Sequence, residues 1–208
     1  MKKFSKLIAL VLVLSLVFAF TACGKGGSDD TIKLGILCSL TGNSQTNGGY
    51  AQQGAKMAVE EINAAGGING KKVVVKEYDD KGDGVEAVNA YNLAKENGIT
   101  AVVGSVLTGT TIALADATYE DNMPQITASA TATGVTIMED TGEVRTNVFR
   151  ACFTDPFQGV KMADYAYEKL GYTKAAVIFL KGKDYNEGLA ENFAKEFEAK
   201  GGTVVDQE

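Results

Sequence analysis

The residues from Val102 to Thr131 read V-V-G-S-V-L-T-G-T-T-I-A-L-A-D-A-T-Y-E-D-N-M-P-Q-I-T-A-S-A-T. This segment predicts a strand, a glycine- and threonine-rich loop, a helix, a second strand and a second polar loop. In an open parallel sheet, the loops at the carboxyl ends of neighbouring strands line the crevice in which small ligands bind. The segment supplies two such loops and is therefore the best candidate for a binding site.

Strands and helices are predicted to alternate from residue 31 to the end of the chain. Residues 31–38 form a nearly continuous apolar run, which is typical of a strand covered on both faces. A polar loop over 39–49 and a helix over 50–65 follow, and the order then repeats, which predicts an α/β fold with parallel sheets. The later strands are predicted at 73–80, 100–103, 124–127, 147–152, 175–180 and 203–205, and the later helices around 87–94, 110–122, 160–170 and 189–197.

The composition of two later segments predicts whether they are buried or exposed. Residues 175–180 are apolar and predict a buried strand, whereas residues 139–146 are charged and predict a surface turn. A parallel sheet made only of 175–180 and 203–205 would bury too little apolar area to be a convincing independent unit. The chain is therefore expected to be truncated at its carboxyl end.

The amino-terminal residues have the composition of a targeting segment. Residues 1–22 combine an early cluster of lysines with an apolar core that is too short for a comfortable membrane span, which predicts a lipoprotein signal peptide. Thr21-Ala22-Cys23 resembles a bacterial lipobox, so Cys23 is the predicted lipid attachment site, and an ordinary secretory signal is the alternative. The hydrophilic residues 23–30 are predicted to be a flexible tether. This places the protein on the outer face of a bacterial cytoplasmic membrane, held by a lipid anchor.

The overall composition argues against several classes of function. The formal net charge of the chain is −6, and removal of the lysine-rich signal peptide makes it more negative, which argues against a nucleic-acid partner. The chain has no histidine, the commonest general base and metal ligand, and no glycine-rich phosphate-binding motif follows its first strand. We therefore expect no enzymatic activity, no cofactor and no metal site.

Two cysteines and two aspartates could each form a functional pair or have only a structural role. Cys38 and Cys152 can form a disulfide outside the cytoplasm, but only geometry decides this, and two separate buried thiols are the preferred interpretation. Asp79 and Asp80 are adjacent carboxylates at a strand end without further ligands. Such a pair more often caps a loop or faces solvent than binds a metal ion.

Several stretches together resemble one protein family. They are L-G-I-L-C-S-L-T-G at 34–42, G-A-K-M-A-V-E-E-I-N-A-A-G-G-I-N-G at 54–70, Y-D-D at 78–80 and the segment 102–131. They resemble type I periplasmic-binding proteins, and within these the leucine/isoleucine/valine-binding proteins of ABC importers. The resemblance implies two Rossmann-like lobes with parallel sheets that close on an amino acid. Lobe 1 would span 31–150, and 151–208 would begin an incomplete lobe 2.

The resemblance also implies roles for four residues of the first lobe. Thr108 is expected to bind the ligand carboxylate, and it lies just before a predicted helix start, where a hydroxyl and free backbone N–H groups can meet an anion. The carbonyl of Ser129 is expected to accept from the ligand ammonium, and the hydroxyl and amide of Thr131 are expected to bind the ligand. Ala130 lies between them in the same binding segment. Considered on spacing alone, Thr108 and Ser129 are better explained as residues that stabilise turns, and only the resemblance favours a role in binding.

Two further positions complete the predicted site. Tyr185 matches an aromatic residue of the second lobe that covers the ligand when the cleft closes. Asn47 stands where the branched-chain binders carry a tyrosine over the apolar ligand side chain, which argues against a purely aliphatic ligand. The resemblance thus implies a non-catalytic lipoprotein, acting as a monomer, that captures a branched-chain or related small amino acid and delivers it to an ABC permease. The alternative is the ligand-sensing domain of a receptor with the same fold.

Overall fold

Five strands form the main sheet of the computed structural model, which describes residues 31–208. The sheet has the order β2-β1-β3-β4-β5, and the pairs β1–β3, β3–β4 and β4–β5 are parallel. The predicted α/β fold is thereby confirmed. The strands are β1 (Thr31–Cys38), β2 (Lys72–Asp79), β3 (Ala101–Gly104), β4 (Gln125–Thr127) and β5 (Val148–Arg150). The predicted signal peptide 1–22, Cys23 and the tether 23–30 lie outside the described residues.

Five α-helices alternate with the strands. They are α1 (Gln45–Ala64), α2 (Gly84–Glu96), α3 (Thr108–Glu120), α4 (Asp155–Asp164) and α5 (Asp184–Ala199). Between residues 31 and 208, no helix is long and apolar enough to cross a membrane.

The core of the first lobe lies between the sheet and the helices α2 and α3. The last four residues of β1 are buried, as the continuous apolar run predicts. The α-helices contribute small or aromatic residues at a spacing of three or four, so that one face of each helix meets the sheet. The main cluster consists of Leu37, Tyr78, Tyr91, Ala94, Ile99, Val102 and Leu114.

A second, separate sheet contains only two strands. The strands β6 (Lys174–Val177) and β7 (Thr203–Gln207) are parallel, and the helices α4 and α5 pack against each other beside them. Within this lobe Phe197 is fully buried and stacks on Phe193, with ring centroids 5.5 Å apart. The prediction of a buried strand over 175–180 is wrong, because the strand ends at Val177 and its residues are only half-buried or exposed. Ile178 is 90% exposed and Leu180 63% exposed, because no described element covers them.

Three other predictions need correction. Helix α1 begins at Gln45, five residues before the predicted start, because its polar first turn packs on the end of β1 rather than forming a loop. Helix α3 begins at Thr108 and not at 110. The segment 139–146 is not only a surface turn, since Arg145 is 5% exposed, donates to the Gly134 carbonyl at 2.6 Å and pairs with Asp116.

Cys38 and Cys152 are separate free thiols, as the preferred interpretation predicted. Burial raises the pKa of the Cys38 thiol to about 12, and the nearby Asp80 carboxylate adds to the effect, so the thiol stays protonated and unreactive. Cys152 is only half-buried, which corrects the expectation that both thiols are buried. Neither cysteine stabilises the fold through a covalent link.

Candidate ligand-binding site

An open cavity of about 450 Å³ lies where β1, β3 and β4 end. The strand order of the sheet reverses between β1 and β3, and the crevice at such a switch point is where open α/β sheets bind ligands. Residues that follow the three strands, together with one residue of α5, line the cavity. They are Asn47, Tyr50, Ala51, Val106, Leu107, Thr108, Ala128, Ser129 and Tyr185.

The structure brings four of the six predicted ligand-binding residues into this one cavity. Asn47, Thr108, Ser129 and Tyr185 come from four different segments and all line it. Ala130 and Thr131 belong to the same loop as Ser129, but both are buried and neither lines the cavity. Tyr185 comes from the second lobe, so residues of both lobes enclose the space.

Helix α1 is held close to the end of β1 by Gly48. A Cβ at Gly48 would lie 2.0 Å from the carbonyl oxygen of Ser39, so only glycine permits this approach. The close contact fixes the first turn of α1 over the sheet edge. Asn47, Tyr50 and Ala51 lie at i, i+3 and i+4 on one helix face, which is the face that lines the cavity.

Asp79 organises the loop that follows β1. Its carboxylate accepts hydrogen bonds from the backbone N–H of Leu40 at 2.8 Å, the hydroxyl of Thr41 at 2.5 Å and the N–H of Lys81 at 2.9 Å. Burial raises the pKa of Asp79, but the hydrogen bonds together outweigh it and hold the pKa below its usual value. Asp79 therefore caps the loop in its ionised form, as the sequence favoured.

Asp80 ties three strands together beneath the cavity. The side chain is fully buried and accepts from the Ser39 hydroxyl at 2.7 Å, the Gly82 N–H at 2.9 Å and the Ser105 hydroxyl. The Ser105 hydroxyl also lies 2.9 Å from the Thr110 hydroxyl in the first turn of α3. This network sets the position of α3 relative to the sheet. It has a structural role, since buried polar groups need partners.

The helices that open onto the cavity differ from the others at their amino-terminal ends. The helices α1, α3 and α5, each of which contributes residues to the cavity wall, have no side-chain cap. The helices α2 and α4 are capped by Asp83 and Thr154, respectively. The first-turn N–H groups of a helix have no partner within the helix, and together with the helix dipole they favour an anion. The cavity therefore has the backbone donors that a carboxylate requires.

Thr108 is the first residue of α3 rather than the residue before it. The side chain lines the cavity, and the hydroxyl has no hydrogen-bond partner in the described part of the chain. The N–H groups of Thr108 and Gly109 belong to the uncapped first turn. A hydroxyl and two backbone N–H groups are thus available at one end of the cavity.

Ser129 connects the two loops that follow β3 and β4. Its hydroxyl donates to the Val106 carbonyl at 2.7 Å, so this hydroxyl is already engaged in the fold. The Thr127 hydroxyl accepts from the N–H of Ala130 at 3.2 Å and donates to the Ser105 carbonyl at 2.7 Å. The backbone carbonyl of Ser129 has no hydrogen bond within residues 31–208 and remains an available acceptor.

Arg150 is a residue of this site that the sequence interpretation missed. Its guanidinium donates to the carbonyls of Ala130 at 3.2 Å and Ala132 at 2.7 Å, which flank Thr131, and to the Thr136 hydroxyl at 2.7 Å. The arginine thereby fixes the backbone on both sides of Thr131. The only signal in the sequence was a charged residue at the end of a short apolar strand.

Asp155 was also missed and lies beside Thr131. The residue is 1% exposed, and neither carboxylate oxygen has a hydrogen-bond partner in the described residues, nor does the Thr131 hydroxyl. Burial raises the pKa of Asp155, while the nearby Thr131 hydroxyl and the Arg150 guanidinium reduce the increase. The sequence signal was an acidic residue in the first turn of a helix, which is common and not specific.

The second lobe approaches the first at this site. Tyr185 lines the cavity, and the Gln158 side-chain amide donates to its hydroxyl at 3.4 Å. A Cβ at Gly109 would lie 2.9 Å from Oδ2 of Asp184, so the first turns of α3 and α5 are in close contact. A Cβ at Gly188 would lie 3.0 Å from Oδ2 of Asp155, so α5 also covers the buried carboxylate.

The chain is similar in sequence to known binding proteins. The chain is 37% identical over 196 residues to the Leu/Ile/Val-binding protein homolog 3 of Brucella melitensis, and the match covers 94% of this chain and 52% of that protein. It is 35% identical over 200 residues to the Leu/Ile/Val-binding protein BraC3 of Rhizobium johnstonii, with 96% and 51% covered. The chain spans about half the length of the curated relatives it matches.

A solved structure of the same kind has a similar fold. The branched-chain amino acid transporter substrate binding protein of Streptococcus pneumoniae, solved in complex with isoleucine, superposes with a TM-score of 0.76 at 34% identity, covering 86% of this chain and 49% of that one. The family model for periplasmic binding proteins matches residues 31–208. The resemblance to type I periplasmic-binding proteins that the sequence motifs indicated is thereby confirmed. This chain belongs to the periplasmic binding protein family.

Proposed function

We propose that the protein is an extracytoplasmic solute-binding protein that captures a small amino acid and delivers it to an ABC permease. The observation that carries the proposal is the pairing, in and beneath one cavity, of an uncapped helix N-terminus with unpaired oxygen acceptors. A zwitterion needs donors for its carboxylate and acceptors for its ammonium group. The relatives named for leucine, isoleucine and valine support an amino acid as the ligand and transport, rather than sensing, as the role.

The ligand carboxylate is assigned to the N-terminus of α3. The Thr108 hydroxyl and the first-turn N–H groups of Thr108 and Gly109 supply three donors at one end of the cavity. Hydrogen bonds to an ionised acceptor are stronger than neutral ones, so these donors also orient the ligand.

The ligand ammonium is assigned to the opposite loop. The Ser129 carbonyl, the Thr131 hydroxyl and the Asp155 carboxylate offer three acceptors for its three N–H bonds. Asp155 is covered by α5 in this arrangement and Thr131 is buried, so the ligand reaches them when the lobes open and is enclosed when they close. Tyr185 then covers the ligand from the second lobe. Arg150 holds the backbone around Thr131, and Ala130 contributes to the shape of the same loop.

The location follows from the same proposal. Acylation of Cys23 would anchor the protein to the outer face of the cytoplasmic membrane, and residues 23–30 would act as the tether. Binding one ligand between two lobes of one chain requires no second copy, so the protein acts as a monomer. No step of this function requires a cofactor, a metal ion or catalysis.

Calorimetric titration with a panel of amino acids tests the proposal. The protein is expected to bind at least one amino acid. Thr108→Val and Thr131→Val are each expected to weaken binding by roughly tenfold or more, because each removes one of the three hydrogen-bond partners of a charged ligand group. Thr173→Val is the matched control, since Thr173 is exposed at the opposite end of β6. Failure of every amino acid to bind would overturn the proposal.

A further inference from the structure

We propose that the cavity selects amino acids with an uncharged polar side chain, and that the side-chain amide of Asn47 makes the selection. The inference rests on the proposed function, because it requires the ligand ammonium and carboxylate groups to bind as described above. It concerns the wall that α1 provides, which takes no part in binding those two groups. It goes beyond the general class of small amino acids to a chemical requirement on the ligand side chain.

The position of Asn47 is closely defined. Gly48, the next residue, packs against the Ser39 carbonyl and fixes the first turn of α1 on the sheet edge. Asn47 therefore enters the cavity wall from a rigid element rather than from a loop. Its side-chain amide makes no hydrogen bond to any other described residue, so both its donor and its acceptor are available to a ligand.

The rest of the wall is uncharged. Ala51, Val106, Leu107 and Ala128 are apolar, and the residues from 31 to 208 place no charged side chain on the cavity surface. Asp184, the residue before Tyr185, is acidic, but it does not line the cavity and lies against Gly109 at the uncapped end of α3. A charged ligand side chain enclosed here would lack a counter-ion, and burial of an unpaired charge is very costly. The wall therefore fits an aliphatic stem that ends in a hydroxyl or an amide.

When the lobes close, the Asn47 amide discriminates between polar and apolar ligand side chains. An apolar side chain would displace water from the Asn47 amide without replacing its hydrogen bonds, whereas a hydroxyl or amide would replace them. Sites that hydrogen-bond a ligand group discriminate against analogues that lack the group, because the buried protein groups are left unpaired. For one amide at the edge of a cavity, the expected preference is roughly tenfold or more.

Two pairs of amino acids with nearly equal shapes test the inference. The protein is titrated calorimetrically with threonine and valine, and with asparagine and leucine. In at least one pair, the polar member is expected to bind roughly tenfold or more tightly than its apolar partner. Equal or tighter binding of the apolar member in both pairs would overturn this inference and leave the proposed function intact. Failure of all four to bind would overturn both.

A variant with a side chain of nearly the same shape tests whether Asn47 causes the preference for the polar amino acid. Asn47→Leu is expected to abolish or reverse the preference for the polar member, while binding through the ammonium and carboxylate groups remains. Asn89→Leu is the matched control, because Asn89 is exposed on α2 and does not line the cavity. An unchanged preference in Asn47→Leu would overturn the assignment. If that variant fails to fold, the comparison of the two pairs in the wild-type protein is still decisive.

Discussion

The two lobes are built from the same β-α pattern but bury it to different extents. In the first lobe, Leu37 and Leu114 are fully buried between the five-stranded sheet and the helices α2 and α3. In the second lobe, Ile178 and Leu180 follow β6 with the same apolar character and remain largely exposed. Both segments look like buried elements when the sequence is considered by itself.

The difference shows that burial depends on what covers an element and not on the apolar residues alone. The first sheet has strand neighbours on both sides of β1 and helices packed against it, whereas the second has only β6 and β7 among the described residues. Apolar area removed from water is the main favourable contribution to folding, so the first lobe should account for most of the stability of this chain. Paired substitutions in the two lobes can test this comparison directly.

The largest difference is expected between two leucines. Leu114→Ala should destabilise the chain by about 2–5 kcal/mol, because it removes buried methyl groups and leaves a cavity. Leu180→Ala should change the free energy of unfolding by no more than about 0.5 kcal/mol, because the side chain is already in water. Urea unfolding of both variants measures the difference. Similar decreases in the free energy of unfolding for the two variants would show that the second lobe is as well packed as the first.

A smaller difference is expected between two carboxylates. Asp80→Asn should lower the free energy of unfolding by about 1–3 kcal/mol, because the amide cannot accept from all three donors that bind the carboxylate. Asp164 pairs with Lys200 at 2.8 Å and with Lys161 at 3.0 Å, and these two lysines lower its pKa.

The carboxylate comparison is made by urea unfolding at low and high salt. Solvent screens exposed ion pairs, so Asp164→Asn should have a smaller effect than Asp80→Asn, and that effect should diminish further at high salt. The effect of Asp80→Asn should be nearly independent of salt, because Asp80 and its two serine partners are buried. A strong salt dependence at Asp80 would contradict the buried network.

The smallest effects are expected in the pH dependence of stability, and they should have opposite signs. The lowered pKa of Asp79 adds stability that is present above the ordinary carboxyl pKa of about 4 and is lost as the pH falls through the lowered pKa. The raised pKa of Asp155 has the reverse effect, so stability is lost as the pH rises from about 4 through the raised pKa.

Comparison of wild type with Asp79→Asn and with Asp155→Asn measures these two contributions. The free energy of unfolding of each protein is determined by urea titration from acid to neutral pH, and each variant is subtracted from wild type. The difference should increase with pH for Asp79 and decrease with pH for Asp155. If both differences increased with pH, Asp155 would have a partner that stabilises its charge.

Much of the binding site could be predicted from motifs, but its completion could not. The motifs that carry the family resemblance pointed to Asn47, Thr108, Ser129 and Tyr185, and the structure brings these residues into one cavity. Arg150 was missed because its role depends on carbonyls about twenty residues away in the chain, which no local pattern reveals. Asp155 was missed for the same reason, since an acidic residue at a helix start is ordinary until the fold buries it beside Thr131.

The sequence by itself determined the alternation of strands and helices, the parallel sheets and the polar loops at the strand ends. These features follow from local periodicity and local turn chemistry, which any segment displays without its neighbours. Only the tertiary structure decided that β1 lies beside β3, that Gly48 brings Asn47 to the cavity, and that Ile178 stays in water. Each of these depends on contacts between distant residues, because strand order, close approach and burial are properties of two surfaces rather than of one segment.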